Sequence, residues 1–223
     1  MKLLLTGFNK FGALEFNSSE IIVNELAERM KLSEEIYLVS EVLRTEFDAA
    51  GTRIQELIEE LKPDAIICLG VAVDRGLISL ERVALNLMDT KLPDNAGRVE
   101  SGKLIAPDGP TAYLSTLPLD QMSQQLKDLC IPVEISNHAG TFVCNHVFYL
   151  ARQKVEQLGI PAKCGFIHIP QISGETHPAR SDSLRLSVSL VLKGIESCIR
   201  VLQEDLPSKR SSFQRSQSYG DGR

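Results

Sequence analysis

The residue types best suited to chemistry in this chain surround Cys144, in the stretch S-N-H-A-G-T-F-V-C-N-H-V-F-Y from Ser136 to Tyr149. An apolar run, Ile131 to Ile135, leads into a turn holding Gly140. Beyond it Phe142, Val143, Val147, Leu150, Ala151 and Val155 recur with helical spacing, which predicts a helix with Cys144 in its first turn. The first N–H groups of a helix lack intrahelical partners and lie at the positive end of its dipole, a setting that favours a thiolate. Further on, Gly165-Phe166-Ile167-His168-Ile169 reads as an apolar strand closed by Pro170, which delivers His168 near its carboxyl end. A helix-start cysteine and a strand-end histidine are two parts of a thiol hydrolase.

Other residues compete for these roles. Cys68, Cys130, Cys164 and Cys198 have apolar neighbours and read as small buried hydrophobes. His138, His146 and His177 are rival bases. His146, two residues from Cys144, projects from a different helix face. His138 precedes the turn, and His177 lies in a Gly/Pro loop. With 29 acidic residues, composition picks no carboxylate to orient the imidazole. Glu81 stands out within the otherwise apolar S-L-E-R-V-A-L-N, where a carboxylate needs a partner, and a pair with Arg82 or Arg75 is the plainer expectation. His138, Cys144, His146, His168 and His177 lack the C-x-x-C or H-x-x-x-H spacing of a zinc site. The loop G-F-N-K-F-G is no phosphate loop. Its Phe8 and Phe11 suit a small flat apolar ligand, or they plug the top of a sheet.

These residues need a scaffold, and the apolar pattern supplies one. Lys2 to Thr6, Ile36 to Leu43 and Ala65 to Gly70 read as buried strands. Between them lie a helix with Asn17 as its N-cap three residues before Glu20, and a helix capped by Thr45 and ended by Pro63. Alternating strands and helices with continuous apolar strands predict an α/β fold with a largely parallel sheet covered on both faces. Ligand crevices in such sheets lie at strand carboxyl ends. Ser79 to Met88 reads as a strand carrying Glu81, Lys91 to Asp108 as turns or a hairpin, Pro118 to Leu129 as a helix, and Asp182 to Leu202 as a final helix. A single domain over residues 1–206 is expected, with 207–223 a tail too poor in apolar residues to order itself.

The chain has 223 residues, 43% of them apolar, and a formal net charge of −5. That balance argues against nucleic-acid and membrane-surface partners, and no apolar run approaches the roughly 20 residues a membrane span requires. Met1-Lys2-Leu3-Leu4-Leu5 is too brief for a secretory signal. Five irregularly spaced cysteines fit a reducing cytoplasm.

Four stretches taken together resemble the pyroglutamyl peptidase I family of cysteine peptidases: Leu4 to Gly12, Glu81 to Asn86, Ser136 to Asn145 and Gly165 to Pro170. The resemblance covers roughly residues 1 to 200 and is most specific around the cysteine. It implies a three-layer α/β/α sandwich with a mixed sheet, often a homo-oligomer (dimer or tetramer), working without a cofactor. It also implies a catalytic trio of Cys144, His168 and Glu81 that removes N-terminal pyroglutamyl residues from peptides. The substrate pocket would draw on Phe8, Phe11, Phe142, backbone at Val143, Asn17, Val71 and Lys91. Lys91 stands where the family usually has arginine, and Val71 where it commonly has glutamine. Lysine keeps the charge but loses the rigid fork of donors. The alternative is a catalytically weak homologue that binds pyroglutamyl-like ligands without efficient turnover.

Overall fold

A computed structural model describes residues 1–12, 14–30, 35–173 and 185–207. The chain runs β1 (Lys2–Phe8), α1 (Ser18–Met30), β2 (Tyr37–Leu43), α2 (Phe47–Leu61) and β3 (Ala65–Val71). It continues through β4 (Ile78–Glu81), β5 (Val83–Leu85), β6 (Ala112–Leu114), α3 (Leu119–Asp128), β7 (Val133–Ser136) and α4 (Val143–Leu158). The last elements are β8 (Lys163–Ile169), β9 (Gln171–Ser173), β10 (Arg185–Ser187) and α5 (Val188–Asp205).

Six strands form the central sheet in the order β2-β1-β3-β8-β4-β7. β2, β1, β3 and β8 are parallel; β4 runs antiparallel to β8 and pairs in parallel with β7. Successive strand side chains point to opposite faces, and the packing follows that alternation. Leu3, Leu5, Ile67 and Leu69 meet α1, α3 and α5 through residues such as Ile22, Met122 and Ile195. Leu4, Ile66, Cys68 and Phe166 meet α2 and α4 through Phe47, Ile54 and Val147. The result is the three-layer α/β/α sandwich with a mixed, largely parallel sheet. Each fully buried aliphatic side chain contributes roughly 1.5–3 kcal/mol, and strands apolar on both faces cannot leave this arrangement without exposing one.

Several local expectations need correction. The stretch from Ser79 to Met88 is two strands. Arg82 interrupts them, β4 stays in the main sheet, and β5 pairs with β6 in a separate antiparallel ribbon. Thr45 does not cap α2. The N-cap is Glu46 without a side-chain bond, and Asp94 accepts from the Phe47 N–H at 2.9 Å while Thr45 Oγ1 donates to the Asn9 carbonyl. α5 starts at Val188, after the short strand β10; residues 182–184, where its start was expected, lie outside the described residues, as do His177 and the tail beyond Pro207. Cys130 is exposed, in a left-handed conformation with φ 56°, whereas Cys68, Cys164 and Cys198 are buried. No described helix is long and apolar enough to cross a membrane.

Candidate active site

Three elements converge at the carboxyl ends of β3 and β8. α4 begins after Gly140, whose φ of 80° turns the chain, and Phe142 is its extended N-cap with no side-chain bond. Cys144 is thus in the first turn, and the first helical bond recorded runs from the His146 N–H to the Phe142 carbonyl. The N–H groups just ahead of it point out of the helix start. Asn145 locks this turn in place. Its buried amide accepts from the Leu85 N–H at 2.8 Å and donates to the carbonyls of Leu85 and Leu87. The cysteine helix is thereby stitched to the strand that follows Glu81.

His168 and Glu81 face each other across β8 and β4. His168 lies opposite Ser79 in that antiparallel pair and Glu81 opposite Phe166, so the two are diagonal neighbours on one sheet face. His168 Nδ1 meets Glu81 Oε1 at 2.7 Å, and Cys144 lies against the same imidazole. Burial opposes a charged His168, but the charge and hydrogen bond of Cys144, joined by those of Glu81, push it up to about 9. Burial likewise opposes the Glu81 carboxylate, yet His168, then the nearby Ser136 hydroxyl and the Arg75 charge, hold it below its ordinary value. The expected Glu81–Arg75 pair therefore exists, with Nη1 to Oε1 at 3.0 Å. It shares the oxygen that His168 uses and does not displace the histidine, while Arg82 is exposed.

Gly70 is an essential part of this geometry that the sequence pattern did not reveal. It sits beside His168 in the β3–β8 register, and a Cβ placed on it would come 2.9 Å from Cys144 Sγ. The thiol occupies the space of the missing side chain.

The predicted pocket residues are distributed unevenly. Phe11 and Phe142 lie 4.9 Å apart, half-buried, with Phe47 against Phe142 at 5.5 Å. Phe47, foreseen only as a helix-face residue, completes this aromatic group. Phe8 is only 2% exposed and packs toward Phe166, so its ring supports the core and does not line an open pocket. Asn17 also turns inward. Its amide accepts from the Ser19 N–H and hydroxyl and donates to the Asn9 carbonyl, which anchors the loop carrying Phe11. Val143 is buried, Val71 is half-buried at the end of β3, and Lys91 is exposed without a partner among the described residues. The loop bearing Lys91 is tied to the cysteine turn by the Asp89 N–H donating to the Thr141 carbonyl and the Thr141 hydroxyl donating to the Asp89 carbonyl.

The remaining histidines are occupied otherwise. His138 Nδ1 accepts from the Gly140 N–H at 3.1 Å. His146 is buried edge-on to Phe47, and its Nε2 would lie 2.6 Å from a Cβ on Gly51, where α2 and α4 cross. Burial, with the nearby Arg98 charge and against Asp48 and Glu100, drops His146 to about 4. A depressed folded-state value means stability present above the ordinary 6.5 and lost as pH falls through 4. The linked cost is about 3 kcal/mol. Urea unfolding of the parent and His146→Leu across pH 7 to 4 should show a smaller loss in the variant; parallel slopes would acquit His146. No cluster of three or more potential metal ligands occurs among the described residues.

A first-turn thiol, an imidazole and a buried carboxylate above an α/β/α sheet define the thiol-dependent hydrolase class. A family model described as pyroglutamyl peptidase matches residues 1–205. The pyrrolidone-carboxylate peptidase of Pyrococcus furiosus is 40% identical over 172 residues, which is 77% of this chain and 82% of that protein. Its namesake in Bacillus licheniformis is 37% identical over 203 residues, 91% of this chain and 94% of that one. Among solved structures, a mutant pyrrolidone carboxyl peptidase of Pyrococcus furiosus superposes with a TM-score of 0.83 at 35% identity, covering 93% of this chain and 100% of its own. Pyroglutamyl peptidase I of Bacillus amyloliquefaciens gives 0.83 at 34%, covering 91% and 97%. The chain belongs to the pyroglutamyl peptidase family.

Proposed function

We infer that the protein is a cysteine exopeptidase that removes N-terminal pyroglutamyl residues from peptides, with residues 1–206 as its catalytic domain. The observation that carries the roles is the row Cys144–His168–Glu81 at the sheet's carboxyl edge, on a chain whose relatives bear the peptidase name. In this reading the Cys144 thiolate attacks the carbonyl carbon that links the lactam to the next residue. His168 gives its proton to the departing amine as the C–N bond breaks, leaving a thioester. Water, deprotonated by His168, then attacks the thioester and releases pyroglutamate and the thiolate. Glu81 holds the imidazole's orientation throughout. Free N–H groups at the start of α4 would receive the oxyanion, and the half-buried Phe11–Phe142 pair suits the flat ring. A homo-oligomer in a reducing cytoplasm is part of the proposal, supported by five free cysteines and exposed Leu92, Leu104 and Leu114. Neither the family nor the relatives support the weakly catalytic alternative.

The test is hydrolysis of a fluorogenic pyroglutamyl amide against its prolyl counterpart, which lacks the lactam carbonyl. Turnover of the first alone is expected, with kcat/KM falling as pH rises through about 9, where His168 loses the proton the leaving amine needs. Equal turnover of both amides, or of neither, would sink the assignment.

A further inference from the structure

We propose that Arg75 is a positioning residue of this site: its guanidinium holds the Glu81 carboxylate through the oxygen that also receives His168 Nδ1–H, and so sets the pH range in which the imidazole works. The proposal rests on the roles given above to Cys144, His168 and Glu81.

Glu81 is fully buried, and His168 and Arg75 converge on one of its oxygens. Oε1 takes His168 Nδ1 at 2.7 Å and Arg75 Nη1 at 3.0 Å, while buried Oε2 has no partner among the described residues. Arg75 is itself built in. Its N–H donates to the Ala72 carbonyl, and the Ala72 N–H donates to the carbonyl of Ile169, next to His168. On the far side Arg75 Nη1 lies 3.6 Å from Glu134 Oε1, which also accepts from the Ser79 hydroxyl at 2.8 Å. The titratable and charged groups gathered around His168 are therefore Glu81 from β4, Cys144 from α4 and Arg75 from the turn after β3. Glu134 from β7 joins through Arg75.

This row has consequences with a definite sign. A cation bonded to Glu81 keeps the buried carboxylate ionised, and it also draws off part of the negative charge that would otherwise favour the imidazolium. Without the guanidinium, Glu81 is easier to protonate and His168 harder to deprotonate. Both limbs of the activity profile then move to higher pH. A tie that merely stiffened the loop would lower the profile without moving it.

The experiment compares the parent with Arg75→Met, Arg75→Lys and His168→Ala in the full-length protein, with Arg75→Gln in reserve if the methionine variant does not fold. Two profiles are recorded against pH: kcat/KM on the pyroglutamyl amide, and the rate of Cys144 alkylation by iodoacetamide without substrate. Arg75→Met should shift both limbs of the kcat/KM profile, and the rise of the alkylation rate, upward by about half a unit to one unit, and Arg75→Lys should reverse most of that shift. A profile lowered but unmoved, or moved downward, overturns the proposal. If His168→Ala moves the rise of alkylation to higher pH while Arg75→Met leaves it as in the parent, the catalytic trio stands and Arg75's role alone falls. If His168→Ala leaves alkylation unchanged, the trio fails and the proposal fails with it.

Discussion

Cys144→Ala should abolish hydrolysis of the pyroglutamyl amide, a loss on the order of 10⁴ to 10⁶ in kcat, and His168→Ala should come close to it. Both replace a group that the proposed thioester route cannot bypass. The double variant should be no worse than Cys144→Ala alone, because residues acting as one unit do not lose activity additively. Alkylation supplies a check that needs no substrate. Burial pushes Cys68 and Cys198 up to about 12 and Cys164 well above its ordinary value, so all three remain unreactive thiols near neutral pH. Only Cys144 and the exposed Cys130 are open to iodoacetamide. In a Cys130→Ser background one equivalent should be taken up quickly, and His168→Ala should slow it. Residual hydrolysis above about 1% in Cys144→Ala would show that another group is the nucleophile.

Much of the scaffold was readable because strands buried on both faces are continuous apolar runs, and Leu3 to Leu5, Ala65 to Leu69 and Gly165 to Ile169 show this directly. What escaped depends on contacts far apart in sequence. Helix α2 looked capped by Thr45 because a threonine preceded it, yet the acceptor at its start is Asp94, 47 positions away. The apolar phase slips at Arg82, from Ile78 and Leu80 to Val83 and Leu85, but only the pairing of β5 with β6 shows that the chain leaves the sheet there. Phe8 and Phe11 look equivalent three residues apart, but one is the last residue of β1 and the other lies on the loop beyond it. Glu81 is the instructive case. In the sequence an ion pair with Arg75 and an orienting bond to the histidine look like rivals, although one carboxylate oxygen can accept both. Sequence spacing ranks partners singly and has no means of seeing that they share an atom.

Gly70→Ala, by contrast, tests a feature with no side chain to notice. The added methyl would lie 2.9 Å from Cys144 Sγ and 2.8 Å from the Phe166 ring, so one of the two must move. Phe166 is fully buried, with Phe8 and Phe148 about it. The backbone of Cys144 is held by the clamp of Asn145 on Leu85 and Leu87. The easiest relief is rotation of the thiol off its position beside His168, since a cysteine has one free torsion and the helix behind it has none. A misplacement of about 1 Å at the reacting atom costs roughly 10²-fold, whereas overpacking of the core costs about 1–3 kcal/mol, which a domain with ordinary stability survives. The variant should therefore remain folded at 25 °C, lose about two orders of magnitude in kcat/KM, and alkylate Cys144 more slowly as the thiol leaves its imidazole partner. Activity within threefold of the parent would mean that β3 and α4 can separate enough to admit a methyl, and that the close seat of the sulfur on Gly70 does not set the attack geometry. A loss of activity with parental alkylation kinetics would instead locate the damage in substrate binding at the end of β3, leaving the Cys144–His168 pair intact.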